Sequence, residues 1–204
     1  MADEPFEAPM KPFGGVESFA WSPDSKTLVY VSRKKTGLEY AVSTNSDLYA
    51  YNLDTKETRN LTEGMTGYDT MPAFSPDGNS LAWLSMEHDG YESDKNRLFV
   101  LDMQTSEKTD LTSDWDYTIE EFAWSPDGRS IFFLAYRDGV KPMLNIGLDR
   151  AISPVAQGEC DYESLGVLAD GSVITMAHSM LRPNEICKVA AGADKAVALT
   201  DVNG

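Results

Sequence analysis

Cysteine and histidine are almost missing from this sequence: Cys160, Cys187, His88 and His178 are all there is of either. There is no CxxC pair, and no spacing from which a tetrahedral zinc set can be assembled, so neither a metal nor a cofactor is expected. The two thiols either close one disulfide in an oxidising compartment or lie free and buried. Positive charge is scarce as well. The 17 Lys and Arg stand against 33 Asp and Glu, a formal net charge of -16, which excludes nucleic acid and anionic membrane as partners because both would repel the chain. A cationic or amine-bearing ligand fits that balance, and so does plain solubility. No run nears the ~20 apolar residues that span a bilayer, and the first residues show no basic start followed by an apolar core, hence no signal peptide in this chain. No stretch carries a 3.6-residue apolar period, which sets aside a helical solenoid. A nucleophile elbow, G-x-S-x-G, is also lacking: Gly15–Phe19 reads GVESF without the closing glycine, and no catalytic residue is assigned.

What the sequence does have is a repeat. FAWSPD at Phe19–Asp24 returns as AFSPDG at Ala73–Gly78 and as FAWSPDG at Phe122–Gly128, and LADG at Leu168–Gly171 is a weaker fourth copy. Each copy is followed by a β-rich run: TLVYVSR, SLAWLSM, SIFFLAYR and SVITMAHS. This is the grammar of a hairpin. Pro23, Pro76 and Pro126 preset φ at the first corner, Asp24, Asp77 and Asp127 bond their own backbone, and Gly78 and Gly128 supply the left-handed residue that releases the returning strand. Ser25 replaces that glycine in the first copy, so strain is expected there.

A third strand follows each hairpin (DLYAYNL, RLFVLDM, MLNIGLD, EICKVA), and a polar corner leads to a short fourth strand ending NLT, DLT or ALT. Four short antiparallel strands per repeat is the unit of a propeller blade. The expected fold is all-β: four consecutive four-stranded blades of a β-propeller, at about 14–64, 65–113, 114–158 and 159–204, part of a seven- or eight-bladed ring. Trp21, Phe74, Trp83 and Trp124, placed in the first strands, are expected to fill the space between sheets. His178 and Ser179 are neighbours inside a strand, so they point to opposite faces and make no nucleophile–base pair.

The SPDG repeats resemble those of the prolyl oligopeptidase family of serine peptidases and of the Tol-system periplasmic propeller. The segments KPFGG, STNSDLYAY, NLTEG, GYDTMPAFSPDG and WLSMEHDGYESDKNRLFV are similar to those of bacterial dipeptidyl peptidases, and RPNEICKV followed by LTDVN is similar to the last blade before the peptidase domain. The resemblance implies a longer protein, periplasmic or secreted, in which a C-terminal α/β-hydrolase domain carries the Ser-Asp-His triad. That domain is absent here. The chain reads as the second half of the propeller, inactive alone, gating access of short peptides to its hydrolase partner.

Strand order fixes which rim matters. The SPDG turns lie on one rim, while Lys34–Ser46, Glu87–Asn96 and the interblade connections Gly64–Thr70, Ser113–Thr118 and Gly158–Glu163 lie on the other. That elaborated rim is acidic and rich in tyrosine, with Glu87, Asp89, Asp69, Asp116 and Tyr117 among its residues. In aminopeptidases of this general family, propeller carboxylates grip the substrate's free α-amino group. The resemblance therefore points to Glu92 and Glu39, with Asp94, Tyr40 and Tyr91 as neighbours, although Glu92 and Asp94 could instead pair with Lys95 or Arg97 and order the loop. The competing reading is a stand-alone Tol-type propeller that binds protein partners. Four blades cut from a ring would leave the outer faces of the first and fourth open, so either the four close on themselves as a small propeller or, the preferred expectation, two copies pair end to end as a homodimer.

Overall fold

The computed structural model describes residues 5–11 and 14–202, which form four antiparallel sheets of four strands each. The first holds β1 (Phe19–Trp21), β2 (Thr27–Ser32), β3 (Asp47–Asn52) and β4 (Thr58–Asn60), in that spatial order. The second holds β5 (Asp69–Phe74), β6 (Ser80–Ser85), β7 (Arg97–Asp102) and β8 (Lys108–Asp110). The third holds β9 (Glu121–Trp124), β10 (Ser130–Leu134), β11 (Met143–Gly147) and β12 (Ile152–Ala156), and the fourth β13 (Asp161–Val167), β14 (Val173–Ser179), β15 (Arg182–Val189) and β16 (Ala196–Ala198). These are four blades of a β-propeller, in two compact units divided between Ser113 and Asp114.

The repeat's turns close as its residues dictate. The hydroxyls of Ser22, Ser75 and Ser125 donate to Asp24, Asp77 and Asp127 at 2.6, 2.6 and 2.7 Å, and each carboxylate accepts the backbone N–H two residues on at 3.1 Å. The same serine oxygens accept from Thr27, Ser80 and Ser130 N, so one side chain ties both ends of the turn. The release position is left-handed in every copy: φ is 74° at Gly78, 67° at Gly128 and 59° at Ser25, where a Cβ makes the conformation strained. In the fourth copy Leu168 replaces the serine and Ser172, on the far side of the turn, bonds Asp170 instead.

The corners between third and fourth strands obey a second rule. Asn52 Oδ1 accepts from Asp54 and Thr55 N, and Asp102 Oδ1 accepts from Gln104 and Thr105 N, each turning the chain into a left-handed residue, Lys56 or Ser106. The NLT and DLT endings then lock in place: Leu61 and Leu111 are buried, and Thr62 and Thr112 Oγ1 accept from Leu48 and Leu98 N.

In the first unit, Val29, Val31, Leu48 and Ala50 of the first sheet pack on Leu81, Trp83 and Leu101 of the second. In the second unit, Leu134, Met143 and Ala156 pack on Tyr162, Val173 and Val189. Each such aliphatic side chain taken fully out of water contributes ~1.5–3 kcal/mol, so these clusters set the fold.

Three expectations change. Trp83 lies in the second strand β6, where it is fully buried, whereas Trp21 is 55% exposed and fills no intersheet space. The β2–β3 loop contains a one-turn helix, α1 (Gly37–Val42), whose residues expose Leu38 and Val42. Of the two states left open for the cysteines, the structure has the free one: Cys160 and Cys187 are free thiols, the second buried. The face of the first sheet turned away from the second is not open: Tyr30 and Ser32 are fully buried, Ser32 Oγ donates to the Glu7 carbonyl, and the Phe6 ring lies against Lys34.

Candidate functional site

In the first unit the elaborated loops are tied to one another. Asp89 Oδ1 accepts from Ser43 Oγ at 2.7 Å, Thr44 N at 2.8 Å and Asn45 N at 3.1 Å, and Gly90 N donates to Thr44 Oγ1 at 2.8 Å. The Ser43 hydroxyl first, and then those N–H groups, hold the Asp89 carboxyl below the usual range although burial works against them. The connection before β5 is clamped between the same loops: Ser46 N donates to Gly67 O, Asp69 N to Ser46 O, Met86 N to Tyr68 O, and Thr66 Oγ1 to Glu87 O. A Cβ on Gly67 would fall 1.9 Å from the Met86 carbonyl oxygen, so only glycine permits this approach.

These ties surround a cavity of about 460 Å³ lined by Met10, Lys11, Gly14, Arg33, Thr44, Tyr68, Met86 and Glu92. Its size falls in the ~300–1,000 Å³ range of small-ligand sites. The charges on its wall differ in how they are satisfied. Lys11 pairs with Glu7 at 3.3 Å, and Glu7 also accepts from the Tyr40 hydroxyl at 3.1 Å. Arg33 lays its guanidinium 4.1 Å from the Tyr40 ring centroid and donates from Nη1 to the Ser43 carbonyl at 2.7 Å, but its buried Nε has no acceptor among the described residues. Glu92 is exposed at the cavity wall with no ion-pair partner among the described residues. Burial pushes the Tyr68 phenol up, so it lines the cavity as a neutral hydroxyl.

Of the five residues expected at the site, the fold brings Glu92 to this cavity. Glu39 is exposed on α1, and Tyr91 is exposed, its ring edge-on to His88. Tyr40 backs the Arg33 guanidinium from behind rather than lining the cavity. Asp94 orders its own loop, with Oδ2 accepting from His88 N at 2.7 Å and Glu87 N at 3.2 Å and facing His88 Nδ1 at 2.9 Å. Asp69, expected on the rim, is fully buried at the start of β5, where Trp83 Nε1 donates to it at 3.0 Å. Sequence reasoning missed Arg33 and Met86. Each sits one residue past a second strand, eleven positions beyond its SPD serine, so the repeat register itself was the signal that could have found them.

Among the described residues no group of His, Cys, Asp or Glu is arranged to hold a metal ion, and no helix is long and apolar enough to cross a membrane. His178 Nε2 sits 3.4 Å from Glu163 Oε1, a contact within the fourth sheet.

Comparison with known proteins gives concordant results. Over 204 residues the chain is 46% identical to Dipeptidyl-peptidase 5 of Porphyromonas gingivalis, covering all of this chain and 30% of that protein. The chain thus spans about a third of the length of the curated relatives it matches. Among solved structures, Pyrococcus horikoshii acylaminoacyl peptidase superposes with a TM-score of 0.70 at 18% identity, over 92% of this chain and 27% of that one. TolB from Acinetobacter baumannii superposes with a TM-score of 0.64 at 20% identity, over 90% and 43%. At those identities the structures speak for the fold. Residues 15–203 match the PD40 model, described as the TolB beta propeller domain, and the chain belongs to that family of propellers.

Proposed function

We propose that this chain is the non-catalytic propeller portion of a periplasmic or secreted serine dipeptidyl or acylaminoacyl peptidase, which restricts access to short peptides and holds their free N-terminus. The observation that carries this reading is Glu92, a carboxylate on the wall of a small-ligand-sized cavity with no ion-pair partner among the described residues. Kinship to dipeptidyl-peptidases 5 supports a peptide ligand, and a hydrolase domain elsewhere in the longer polypeptide supplies the nucleophile. Glu92 is exposed in the ligand-free cavity, and only if a bound peptide closes the ammonium–carboxylate contact off from water does truncating one partner cost ~2–5 kcal/mol, enough to set where on the peptide the cut falls.

The test is Glu92→Gln in the polypeptide that joins this chain to its hydrolase domain. Activity on free-amine dipeptidyl substrates should fall at least tenfold while activity on N-blocked substrates changes little. Equal loss on both, or none, removes Glu92 from the site and sends the same test to Glu39. The second reading, a Tol-type propeller that binds protein partners, is favoured by the superposition on TolB and gains the field if the longer polypeptide holds no hydrolase domain.

A further inference from the structure

The cavity of the first unit carries two unmatched charges of opposite sign. Lys11 and Glu7 neutralise one another at 3.3 Å, which leaves Glu92 and Arg33 as the wall charges without an ion-pair partner among the described residues. They do not pair with each other. Arg33 is held in place by three groups: the Tyr40 ring beneath its plane, the Ser43 carbonyl on Nη1, and through Tyr40 the Glu7 carboxylate. A guanidinium fixed in this way on the cavity wall is preorganised for an incoming oxygen, above all a carboxylate. A ligand with an amine alone would satisfy Glu92 and leave Arg33 unmatched; one with a carboxylate alone would do the reverse.

We infer that the cavity binds a zwitterionic dipeptide, its ammonium on Glu92 and its terminal carboxylate on Arg33, so that the free product of dipeptide release is retained by the propeller. This rests on the amine-binding reading above and adds the second charge. Two extended residues span at most ~7 Å, a ligand size that a cavity of about 460 Å³ holds. Met10 and Met86 supply the apolar remainder of the wall, unbranched and adaptable, so apolar side chains of differing shape are accommodated.

Isothermal titration calorimetry on the 204-residue chain tests the inference with three probes: Val-Phe with both termini free, its C-terminal amide, and its N-acetyl derivative. Val-Phe should bind saturably, the amide at least tenfold more weakly. Arg33→Gln should weaken Val-Phe by a similar factor and abolish the difference between acid and amide. The amide comparison needs no variant, so it stands even if Arg33→Gln disturbs the packing on Tyr40. An amide that binds as tightly as the acid, or no binding of Val-Phe at all, overturns the inference. An N-acetyl derivative that binds as tightly as Val-Phe, with the amide still weakened, would instead sink the Glu92 amine contact and leave the Arg33 carboxylate contact standing.

Discussion

Asp69 shows how one residue can look functional in sequence and be structural in space. It sits in an acidic connection, yet the fold buries it completely against Trp83 Nε1, and burial pushes its carboxyl up to about 6 despite the hydroxyls of Ser85 and Thr62 and with Asp47 adding repulsion. A carboxyl whose folded pKa lies above its unfolded value binds its proton more tightly in the folded chain. Its stabilising contribution is therefore full below about pH 4 and is lost as pH rises through about 6. A shift of this size amounts to ~2–3 kcal/mol. Asp69→Asn, which keeps an acceptor for Trp83, should flatten the pH dependence of the urea midpoint between pH 4 and 7 relative to the unchanged chain; identical pH profiles would refute the assignment. Side-chain partnership of this kind is hard to read in sequence. Glu92 and Asp94 are two residues apart in one acidic loop, yet one lines the cavity and the other caps His88, because loop geometry rather than residue type decides which way each points.

At the scale of elements the sequence was far more legible, since a repeated turn carries its chemistry in its own residues. Strand positions, the hairpin and the strained Ser25 follow from SPDG and from alternating apolar runs. What escaped notice was the serine, which looked like part of a signature and proves to be the fastener of both turn ends, and α1, whose single turn is too short to leave a period. The turn makes two opposed predictions. Ser125→Ala removes a hydroxyl that donates to Asp127 and accepts from Ser130 N, and should cost about 1–2 kcal/mol of unfolding free energy. Ser25→Gly should relieve the left-handed serine at φ 59° and raise stability by less than about 1 kcal/mol, because the gain is offset by the freer unfolded glycine. Denaturant titration of both variants reads the two signs, and a stabilising Ser125→Ala or a strongly destabilising Ser25→Gly would contradict the turn mechanics.

At the scale of the whole molecule, sheet number and strand order were legible because repeats announce themselves, whereas which sheet faces are covered was not, because the cover comes from outside the repeat. The expectation of two open outer faces fails at the first sheet, where Glu7 and Phe6 of the leading segment lie against Ser32 and Lys34. It holds at the fourth. On the face of that sheet opposite Tyr162, Val173 and Val189, Met176 pairs in register with Ile186, and Ile186, Val197 and Leu199 are 44, 67 and 57% exposed. Lys188, paired with Asp170, stands in register with Val197 on the same face, yet three exposed apolar side chains beside a three-residue edge strand are still a surface that a second copy can cover. We therefore expect the chain to self-associate through this one face, the same patch on both copies, rather than end to end through two different ones. The formal charge of -16 opposes that contact, so association should strengthen as salt screens the repulsion over a Debye length of ~10 Å at 0.1 M. Light scattering after size exclusion should give a mass that rises with concentration and with ionic strength, and the pair Ile186→Lys and Val197→Lys should return it to the monomer value. A monomer mass in the unchanged chain that is independent of concentration at high salt would mean that the exposed face is tolerated and that no second copy covers it.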